Sequence, residues 1–463
     1  MPSAPLSDSR QRLLGLVRAN DLRGPLGPRF LEEDAETLGL CLAAEARRRG
    51  IARVALCYDG RLSSPNLAEQ LSRGLRAGGV PVAWLGLGPT PLLYFACARE
   101  PRMGGVMVTA SHSPADHNGF KLVLQGQRLR RRALRALFAE EPSGLRPAGD
   151  LERADLRPAY LTHLALEGLA APALRVGWDP GNGAAAALLS ALLRRLPGEH
   201  HVINGEVDGR FPAHHPDPSR AVNLRQLREL VLERRLDLGF AFDGDGDRLG
   251  AVDGQGRILW GDDLLALLAR DLLRRRPGAT IVADVKASQR LFDQVRAWGG
   301  RAVMSRTGHG YVLETLQAEG AALGGEVSAH FFFQDRGYGY DDGLLAAVKV
   351  LAALGRSGES LATFLDSLPP TATSPTLRIF CPDADKADAM RALEDLLVSD
   401  GQEVKRLDGL RVAERDGWWL LRPSNTEPCL VLRCEAKTQA ACTLLLARIS
   451  AALSSLGLPQ PEA

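Results

Sequence analysis

Three aspartates alternate with glycines in the segment FDGDGDR, from 242 to 248, which follows an apolar run typical of a β-strand. Asp243, Asp245 and Asp247 would repel one another unless a cation neutralised their charges. The segment does not fit the EF-hand template, because Arg248 stands where that loop needs a glycine. Carboxylate oxygens suit Mg²⁺ and leave room for a phosphate oxygen as a further ligand. The spacing predicts a magnesium site, with an acidic turn as the simpler alternative.

A serine follows a second apolar run in TASHSP, from 109 to 114, and NGFK follows it from 118 to 121. Ser111 therefore lies at a predicted strand end, with His112 beside it and Lys121 ten residues later. An ordinary Ser/Pro turn with a capping hydroxyl is one interpretation. A Ser-His-Asp hydrolase is a weaker one, because a Gly-x-Ser-x-Gly elbow is missing and His112 would point away from Ser111 in an extended segment.

Two more loops carry groups that could bind a polar ligand. GEVSAH, from 325 to 330, is rich in hydrogen-bonding side chains that suit adjacent sugar hydroxyls. RPSNTEP, from 422 to 428, offers a guanidinium, two hydroxyls, an amide and a tight turn, which together can hold a phosphate dianion. Taken alone, each loop could also be a turn with satisfied side chains.

Repeated elements are needed to position these loops. Three segments share one design, an apolar run that ends at a turn aspartate and is followed by a helical pattern. The aspartates are Asp59, Asp179 and Asp284, spaced 120 and 105 residues apart. In each segment a second apolar run ends in one of the polar loops, and ligands collect at the carboxyl ends of such strands. The pattern predicts three related α/β domains with mixed sheets.

A different composition follows the Pro/Ser/Thr-rich stretch LDSLPPTATSP. The remaining strand-helix-strand pattern is too short for another repeat and predicts a smaller α+β domain of about 95 residues. We therefore expect four domains, over 1–153, 154–256, 257–368 and 369–463.

Composition excludes several classes of partner. The 463 residues carry 57 basic and 55 acidic side chains, and the resulting net charge of +2 favours no polyanionic partner. The arginine-rich run from 128 to 135 is typical of a solvated face rather than of a nucleic-acid site. The first twenty residues contain no signal-peptide core, and no apolar run reaches the ~20 residues of a membrane span. We expect a cytoplasmic protein with no membrane partner, and seven reduced, buried cysteines.

Together the four loops resemble one family, the α-D-phosphohexomutases, and most closely its bacterial phosphomannomutase/phosphoglucomutase branch. TASHSP with NGFK is similar to the family's phosphoserine loop, DGDGDR to its metal loop, GEVSAH to its sugar loop and RPSNTEP to its phosphate-binding loop. The stretches RTGHGYV, around position 309, and GYGYDDG, ending at 343, also agree. The motifs occur in family order, one in each predicted domain, and the resemblance spans nearly the whole chain.

The resemblance implies a reversible transfer of a phosphoryl group between O1 and O6 of mannose or glucose phosphates, in a central cleft of a monomer. Ser111 would be phosphorylated and would complete a one-Mg²⁺ site with Asp243, Asp245 and Asp247. Glucose 1,6-bisphosphate would be the intermediate and activator. The positions that match the family's catalytic residues are Arg23, Lys121, Arg248 and His309. The positions that match its substrate-binding residues are Lys286, Glu326, Ser328, His330, Arg422, Ser424, Asn425 and Thr426.

The chain departs from the family pattern at a few positions. Asn20 stands where the family often has Tyr, and Ser113 replaces the usual Asn of the phosphoserine loop. Val327 and Ala329 replace other small or apolar residues in the sugar loop. A phosphoglucosamine mutase, a metal-dependent phosphatase and a catalytically weak sugar-phosphate-binding homologue are the alternatives. Either Lys121 or His309 could move the proton of the attacking hydroxyl.

Overall fold

The computed structural model describes residues 7–139, 146–334, 339–424 and 428–461. The chain forms two units, each assembled from two stretches of sequence. Unit 1 comprises Met1–Asp271 and Ser328–Ala362, and unit 2 comprises Leu272–Val327 and Thr363–Ala463. The four-domain boundaries expected from the sequence stay a prediction.

The first sheet of unit 1 is mixed, with strand order β1-β5-β4-β2-β3-β7, and β6 pairs with β5. Its strands are β1 (Leu22–Pro25), β2 (Arg53–Tyr58), β3 (Val82–Leu87), β4 (Met103–Val108), β5 (His117–Leu124), β6 (Gln127–Arg128) and β7 (Leu151–Arg153). Its helices are α1 (Asp8–Leu16), α2 (Asp34–Arg48), α3 (Ser64–Ala77), α4 (Thr90–Arg99) and α5 (Arg131–Ala136). Strand β4 is apolar and buried along its whole length, as expected for a central strand covered on both faces. Because β2 and β4 are parallel, Asp59 and Thr109 emerge side by side at one sheet edge.

The second sheet of unit 1 has the order β12-β11-β10-β8-β9, with β8 and β10 parallel and β10 and β11 antiparallel. Its strands are β8 (Leu174–Asp179), β9 (Gly198–Val202), β10 (Leu238–Phe242), β11 (Leu249–Asp253) and β12 (Ile258–Leu259). Its helices are α6 (Arg157–Glu167), α7 (Ala186–Leu193) and α8 (Arg225–Glu233). The short connection between β10 and β11 is the aspartate-rich segment, so both of its ends are fixed by a buried strand.

Helix α9 (Gly261–Arg275) and helix α13 (Leu361–Ser367) each begin in unit 1 and end in unit 2. Unit 1 also contains β16 (Phe331–Phe333) and helix α12 (Gly343–Ser357), whose first twelve residues are all buried. The side chain of Asp342 caps this helix by accepting a hydrogen bond from the backbone N–H of Leu345 at 2.9 Å.

Unit 2 contains a parallel group in which β13 (Thr280–Asp284) lies between β14 (Arg301–Ser305) and β15 (Leu323–Gly325). Helices α10 (Gln289–Ala297) and α11 (His309–Ala318) connect these strands. Asp284 ends β13 much as Asp59 follows β2, and its carboxylate accepts a hydrogen bond from the backbone N–H of Val327, beyond β15, at 3.2 Å.

The C-terminal part of unit 2 is an antiparallel sheet of order β17-β22-β21-β20-β19, and β18 also pairs with β22. Its strands are β17 (Ala372–Thr373), β18 (Leu377–Phe380), β19 (Val404–Lys405), β20 (Leu410–Glu414), β21 (Gly417–Pro423) and β22 (Cys429–Ala436). Helices α14 (Lys386–Ser399) and α15 (Gln439–Ser455) belong to the same region, and Trp419, Leu421 and Leu432 lie in its core. The α/β repeats with mixed sheets and the smaller α+β region are both confirmed.

All seven cysteines are buried and free, as expected from their apolar surroundings. In the part of the chain that the structure describes, every helix falls short of the length or apolar character that a membrane span requires.

Candidate active site

The serine loop, residues 109–116, connects β4 to β5 and carries Ser111 in a buried position. The hydroxyl of Ser111 donates a hydrogen bond to Asp243 Oδ2 at 2.7 Å, and its backbone N–H donates to Thr109 Oγ1 at 2.8 Å. Its φ of +51° places a non-glycine residue in the left-handed region. A turn is present, because the Ser113 N–H donates to the Ala110 carbonyl, but the serine hydroxyl points to a carboxylate rather than capping a helix.

The expected direction of His112 is wrong. Its Nδ1 lies 3.1 Å from Ser111 Oγ, because the left-handed backbone at Ser111 interrupts the extended geometry on which the expectation was based. The positive charge of Arg248 and then burial lower the pKa of His112 well below its usual range, which favours a neutral ring. The arrangement is still not a hydrolase triad, since the Asp243 carboxylate binds the serine hydroxyl itself instead of orienting the histidine.

The aspartate loop, residues 243–248, joins β10 to β11 and places three carboxylates together. One oxygen from each of Asp243, Asp245 and Asp247 lies within 4.8 Å of the others, and all three side chains are buried. Gly244 allows this loop to meet the serine loop, because a Cβ at that position would lie 2.4 Å from the Ser111 carbonyl oxygen. Any other residue would push the two loops apart.

The charge of the aspartate loop is only partly balanced. Lys121 Nζ donates to Asp245 Oδ2 at 2.6 Å and to Asp247 Oδ2, and Arg248 Nε lies 3.9 Å from Asp243 Oδ2, so two cations face three carboxylates. Burial, followed by the charges of Asp247 and Asp245, raises the pKa of Asp243 well above its usual range. Among the described residues, Asp245 Oδ1 and Asp247 Oδ1 are buried without a hydrogen bond. These carboxylate oxygens fit a divalent cation, which would supply the missing positive charge.

Arg248 is the last residue of the aspartate loop, and His330 lies beside it. The Arg248 Nε–H donates to His330 Nε2 at 3.0 Å, and Nε is 3.9 Å from Asp243 Oδ2. On its other side, His330 Nδ1 lies 2.8 Å from Asp341 Oδ2, and Asp341 is paired with the buried Arg128. Burial acts to raise the pKa of Asp341, but Arg128 and His330 outweigh it and lower that pKa.

The sequence analysis did not single out Asp341 or Arg128. The only sequence signal for Asp341 is the stretch GYGYDDG, which carries it. Nothing in the run from 128 to 135 distinguishes Arg128, whose side chain is buried and lies over the Tyr94 ring at 4.3 Å, from its neighbours.

Arg23 lies on β1, beside the serine loop. Its guanidinium pairs with Asp21, and Nη1 donates to Ser113 Oγ at 3.3 Å. Ser113, one of the departures from the family pattern, therefore still provides an acceptor for this arginine.

Unit 2 brings other site residues to the ends of its parallel strands. Lys286 Nζ lies 3.6 Å from Asp284 Oδ2, just beyond β13. The buried Glu326 follows β15 and accepts a hydrogen bond from the Gly308 N–H at 2.7 Å, immediately before His309 begins α11. Ser328 follows Glu326 in the sequence and lies in unit 1, half-buried in a turn.

The predicted phosphate loop begins at the end of β21. Arg422 Nη2 lies 3.4 Å from Asp408 Oδ2, and Asp408 also accepts a hydrogen bond from the Thr307 N–H at 3.1 Å. The carbonyl of Ser424 accepts a hydrogen bond from Lys386 at 2.7 Å. Asn425 and Thr426 lie outside the described residues.

Comparison with known families matches four domain models in succession. They are the alpha/beta/alpha domains I, II and III and the C-terminal domain of phosphoglucomutase/phosphomannomutase, over residues 15–140, 158–256, 260–372 and 377–452. The chain belongs to the phosphoglucomutase/phosphomannomutase family. The predicted fold and the resemblance to the phosphohexomutases noted in the sequence are therefore confirmed.

Individual relatives agree over nearly the full length. This family member is 39% identical to a phosphoglucomutase of Neisseria gonorrhoeae, over 95% of this chain and 97% of the relative. It is also 39% identical to a phosphomannomutase/phosphoglucomutase of Pseudomonas aeruginosa, over 92% of each chain. A crystal structure of a phosphoglucomutase/phosphomannomutase family protein from Burkholderia thailandensis superposes with a TM-score of 0.90 at 36% identity, covering 97% of this chain and 98% of that one.

The phosphoglucomutase/phosphomannomutase family is metal-dependent, and the cluster of Asp243, Asp245 and Asp247 could hold the ion. The chain is a hexose-phosphate mutase, an isomerase of carbohydrate metabolism. The relatives do not favour the phosphoglucosamine mutase or the catalytically weak homologue considered from the sequence.

Proposed function

We propose that the enzyme interconverts the 1-phosphates and 6-phosphates of mannose and glucose through a phosphorylated Ser111 and a hexose 1,6-bisphosphate. The observation that carries the proposal is the hydrogen bond of 2.7 Å from Ser111 Oγ to Asp243, in a buried cluster of three carboxylates. A phosphate ester at this serine would lie beside the oxygens that hold the metal ion.

One Mg²⁺ would be held by Asp243, Asp245 and Asp247 together with the phosphate on Ser111. When bound, the ion offsets the negative charge on the oxygens of the transferring phosphoryl group. Two buried oxygens, Asp245 Oδ1 and Asp247 Oδ1, support this assignment, because neither accepts a hydrogen bond within the described part of the chain.

Several of the chain's own residues would then act on the phosphoryl group that is transferred. Arg248, whose guanidinium is fixed by its bond to His330 at 3.0 Å, adds positive charge beside Asp243. Arg23, through Ser113, borders the same loop. Lys121 and His309 are the two groups assigned to proton transfer from the attacking sugar hydroxyl. Comparing turnover of variants at these two positions across pH separates their roles.

The remaining groups bind the sugar and the phosphate that is not being transferred. We assign Glu326 and Ser328 to the O3 and O4 hydroxyls, whose positions are roughly preserved when the bisphosphate reverses its orientation. Neither residue is assigned to O2, so mannose and glucose phosphates should both be substrates. The residues assigned to the remote phosphate and its surroundings are Lys286, His330, Arg422, Ser424, Asn425 and Thr426. Glucose 1,6-bisphosphate is the proposed activator, because it phosphorylates Ser111 directly.

Replacing Ser111 by alanine tests the proposal. Ser111→Ala should fold, lose most mutase turnover and carry no phosphate, whereas the wild-type mass should show about one phosphate per chain after treatment with glucose 1,6-bisphosphate. Ser72→Ala, at another buried serine of unit 1, is the control and should retain activity. Full turnover of Ser111→Ala in an assay coupled to glucose 6-phosphate would reject the phosphoserine mechanism.

The cytoplasmic location and the monomeric state expected from the sequence also belong to this proposal. Light scattering on the purified protein should give a mass near 49.8 kDa, the value for one chain. A mass near twice that value would contradict the monomer.

A further inference from the structure

Arg61 is a buried arginine in the turn that follows β2, and all five N–H groups of its guanidinium are used. One N–H, on Nε, is directed to the Asp59 carboxylate at 3.1 Å. The other four are directed to backbone carbonyls of the loop that carries Ser111 and of the residue that begins β5. These carbonyls belong to Ser111 and Ser113, both at 2.7 Å, to His117 at 2.9 Å, and to Pro114.

The Asp59 carboxylate ties the same loop from the other side. Its Oδ2 accepts a hydrogen bond from Thr109 Oγ1 at 2.7 Å, and Thr109 Oγ1 in turn accepts the Ser111 N–H at 2.8 Å. Asp59 also accepts a hydrogen bond from Ser64 at the start of α3. The carbonyl and the N–H of Ser111 are therefore both bound, directly or through one residue, to the pair formed by Asp59 and Arg61.

The backbone at Ser111 needs such support. A φ of +51° is unfavourable for a residue with a Cβ, and this conformation persists only where the surroundings determine it strongly. It also directs the Ser111 hydroxyl to Asp243. Arg61 binds three carbonyls of the serine loop and the carbonyl of His117 at the start of β5, and these bonds constrain the backbone where the local sequence TASHSP does not.

We propose that Arg61 is a positioning residue for phosphoryl transfer: it holds the serine loop in the one conformation that presents Ser111 to the aspartate loop. This inference rests on the proposed function for the role of Ser111. Arg61 does not need to touch the substrate for this, since every donor of its guanidinium is already committed to the protein.

Arg61→Lys is the informative variant, because it keeps the positive charge beside Asp59 but replaces a planar fork of five donors by three donors on one atom. A lysine cannot bind four carbonyls and a carboxylate at once. We expect kcat to fall about 100-fold, while KM for glucose 1-phosphate changes less than threefold, because the groups that bind the sugar are untouched. The single-turnover rate at which glucose 1,6-bisphosphate phosphorylates the enzyme, followed by intact mass, should fall by a similar factor.

Arg10→Lys is the matched control. Arg10 is also buried in unit 1 and also donates to a backbone carbonyl, that of Phe138, through Nε at 3.2 Å and through Nη2 at 2.5 Å. It touches neither the serine loop nor the aspartate loop in any of these bonds. We expect Arg10→Lys to lower the melting temperature as Arg61→Lys does, yet to keep kcat within twofold of the wild type.

Thr109→Val provides a second test that does not depend on Arg61→Lys being folded. It removes the acceptor of the Ser111 N–H with little change in volume and should lower kcat about tenfold with KM nearly unchanged. The proposal is overturned if Arg61→Lys folds and keeps kcat within twofold of the wild type. If Arg61→Lys does not fold, the proposal is overturned when Thr109→Val keeps kcat within twofold of the wild type. Failure of the proposed function can be told apart from failure of this inference. An active Ser111→Ala would reject the phosphoserine mechanism itself, whereas an inactive Ser111→Ala together with a fully active Arg61→Lys would reject only the positioning role of Arg61.

Discussion

Lys121 of unit 1 is held differently from Lys286 and Arg422 of unit 2. In unit 1, Lys121 has only 7% of its side chain exposed and binds two carboxylates of the aspartate loop. In unit 2, Lys286 is 26% exposed and lies 3.6 Å from a single carboxylate, and Arg422 is 19% exposed and lies 3.4 Å from Asp408. Buried, mutually bonded charges act strongly on a transition state, whereas partly hydrated charges can bind and release a substrate. Under the proposed function, the buried charges around Lys121 would act on the transferred phosphoryl group, and Arg422 would bind the remote phosphate.

The largest effect is expected in the aspartate loop. Asp245→Asn removes one charge from the predicted metal site and weakens its pairing with Lys121, so kcat should fall ~100-fold or more, with a smaller change in KM. Steady-state kinetics over a range of Mg²⁺ concentrations measures both the turnover and the metal requirement. Asp253→Asn, at a buried aspartate that binds Arg257 instead, should leave turnover of the folded protein near the wild-type value. Equal losses of turnover in the two variants would show that Asp245 matters no more than a buried aspartate outside the aspartate loop.

Lys121→Met tests whether a cation is required at the aspartate loop for stability. Without the ammonium, the Arg248 guanidinium alone faces the three carboxylates, and the metal-free protein should lose about 3 kcal/mol of unfolding free energy. Because Mg²⁺ can replace the lost charge, it should raise the melting temperature of this variant more than that of the wild type. Lys349→Met, which breaks a similarly buried pair with Glu167 at 2.9 Å, should show no extra response to Mg²⁺. An identical Mg²⁺ shift in wild type and Lys121→Met would contradict the prediction.

Arg422→Ala tests the partly exposed cations of unit 2. Removing this guanidinium should raise KM for glucose 1-phosphate roughly ten- to a hundredfold, through loss of a charge-assisted bond to phosphate. Turnover should fall less than KM rises, and dependence on added glucose 1,6-bisphosphate should increase because the intermediate escapes more often. Arg406→Ala, which removes an exposed arginine of the same C-terminal region, is the control. An unchanged KM would show that RPSNTEP is only a turn.

The smallest effect is expected at Ser113. Ser113→Ala removes the acceptor that lies 3.3 Å from Arg23 Nη1 but leaves the ion pair between Arg23 and Asp21. The loss of one long hydrogen bond should change kcat/KM about two- to fivefold. Ser113→Asn, which restores the residue usual in the family, should keep kcat/KM at or above the wild-type value. A loss as large as that of Asp245→Asn would mean that Ser113 belongs to the transfer machinery.

Residues that cooperate within one short segment could be predicted from the sequence. Asp243, Asp245 and Asp247 share one loop between two strands, so their spacing alone indicated a common site. Lys121 could be identified as a candidate from the motif NGFK, although the two aspartates that it binds lie beyond the other sheet of unit 1.

Residues whose partners are distant in the chain escaped the sequence analysis. Arg61 binds carbonyls fifty and more residues away, and Asp341 pairs with Arg128 more than two hundred residues earlier. The direction of His112 was wrong for a related reason. It depends on the left-handed backbone of Ser111, which distant contacts impose and local propensity does not encode.

Two strand-end aspartates hold the loop after a neighbouring strand in the same way. Asp59 binds the loop after β4, through Thr109, and Asp284 binds the loop after β15, through the Val327 N–H. In both cases the aspartate's strand and the strand before the bound loop are parallel neighbours. This correspondence is what duplication of one ancestral segment would leave behind. In each case one carboxylate fixes the loop from outside it, so the loop itself can carry a different residue of the proposed site, Ser111 after β4 and Glu326 after β15.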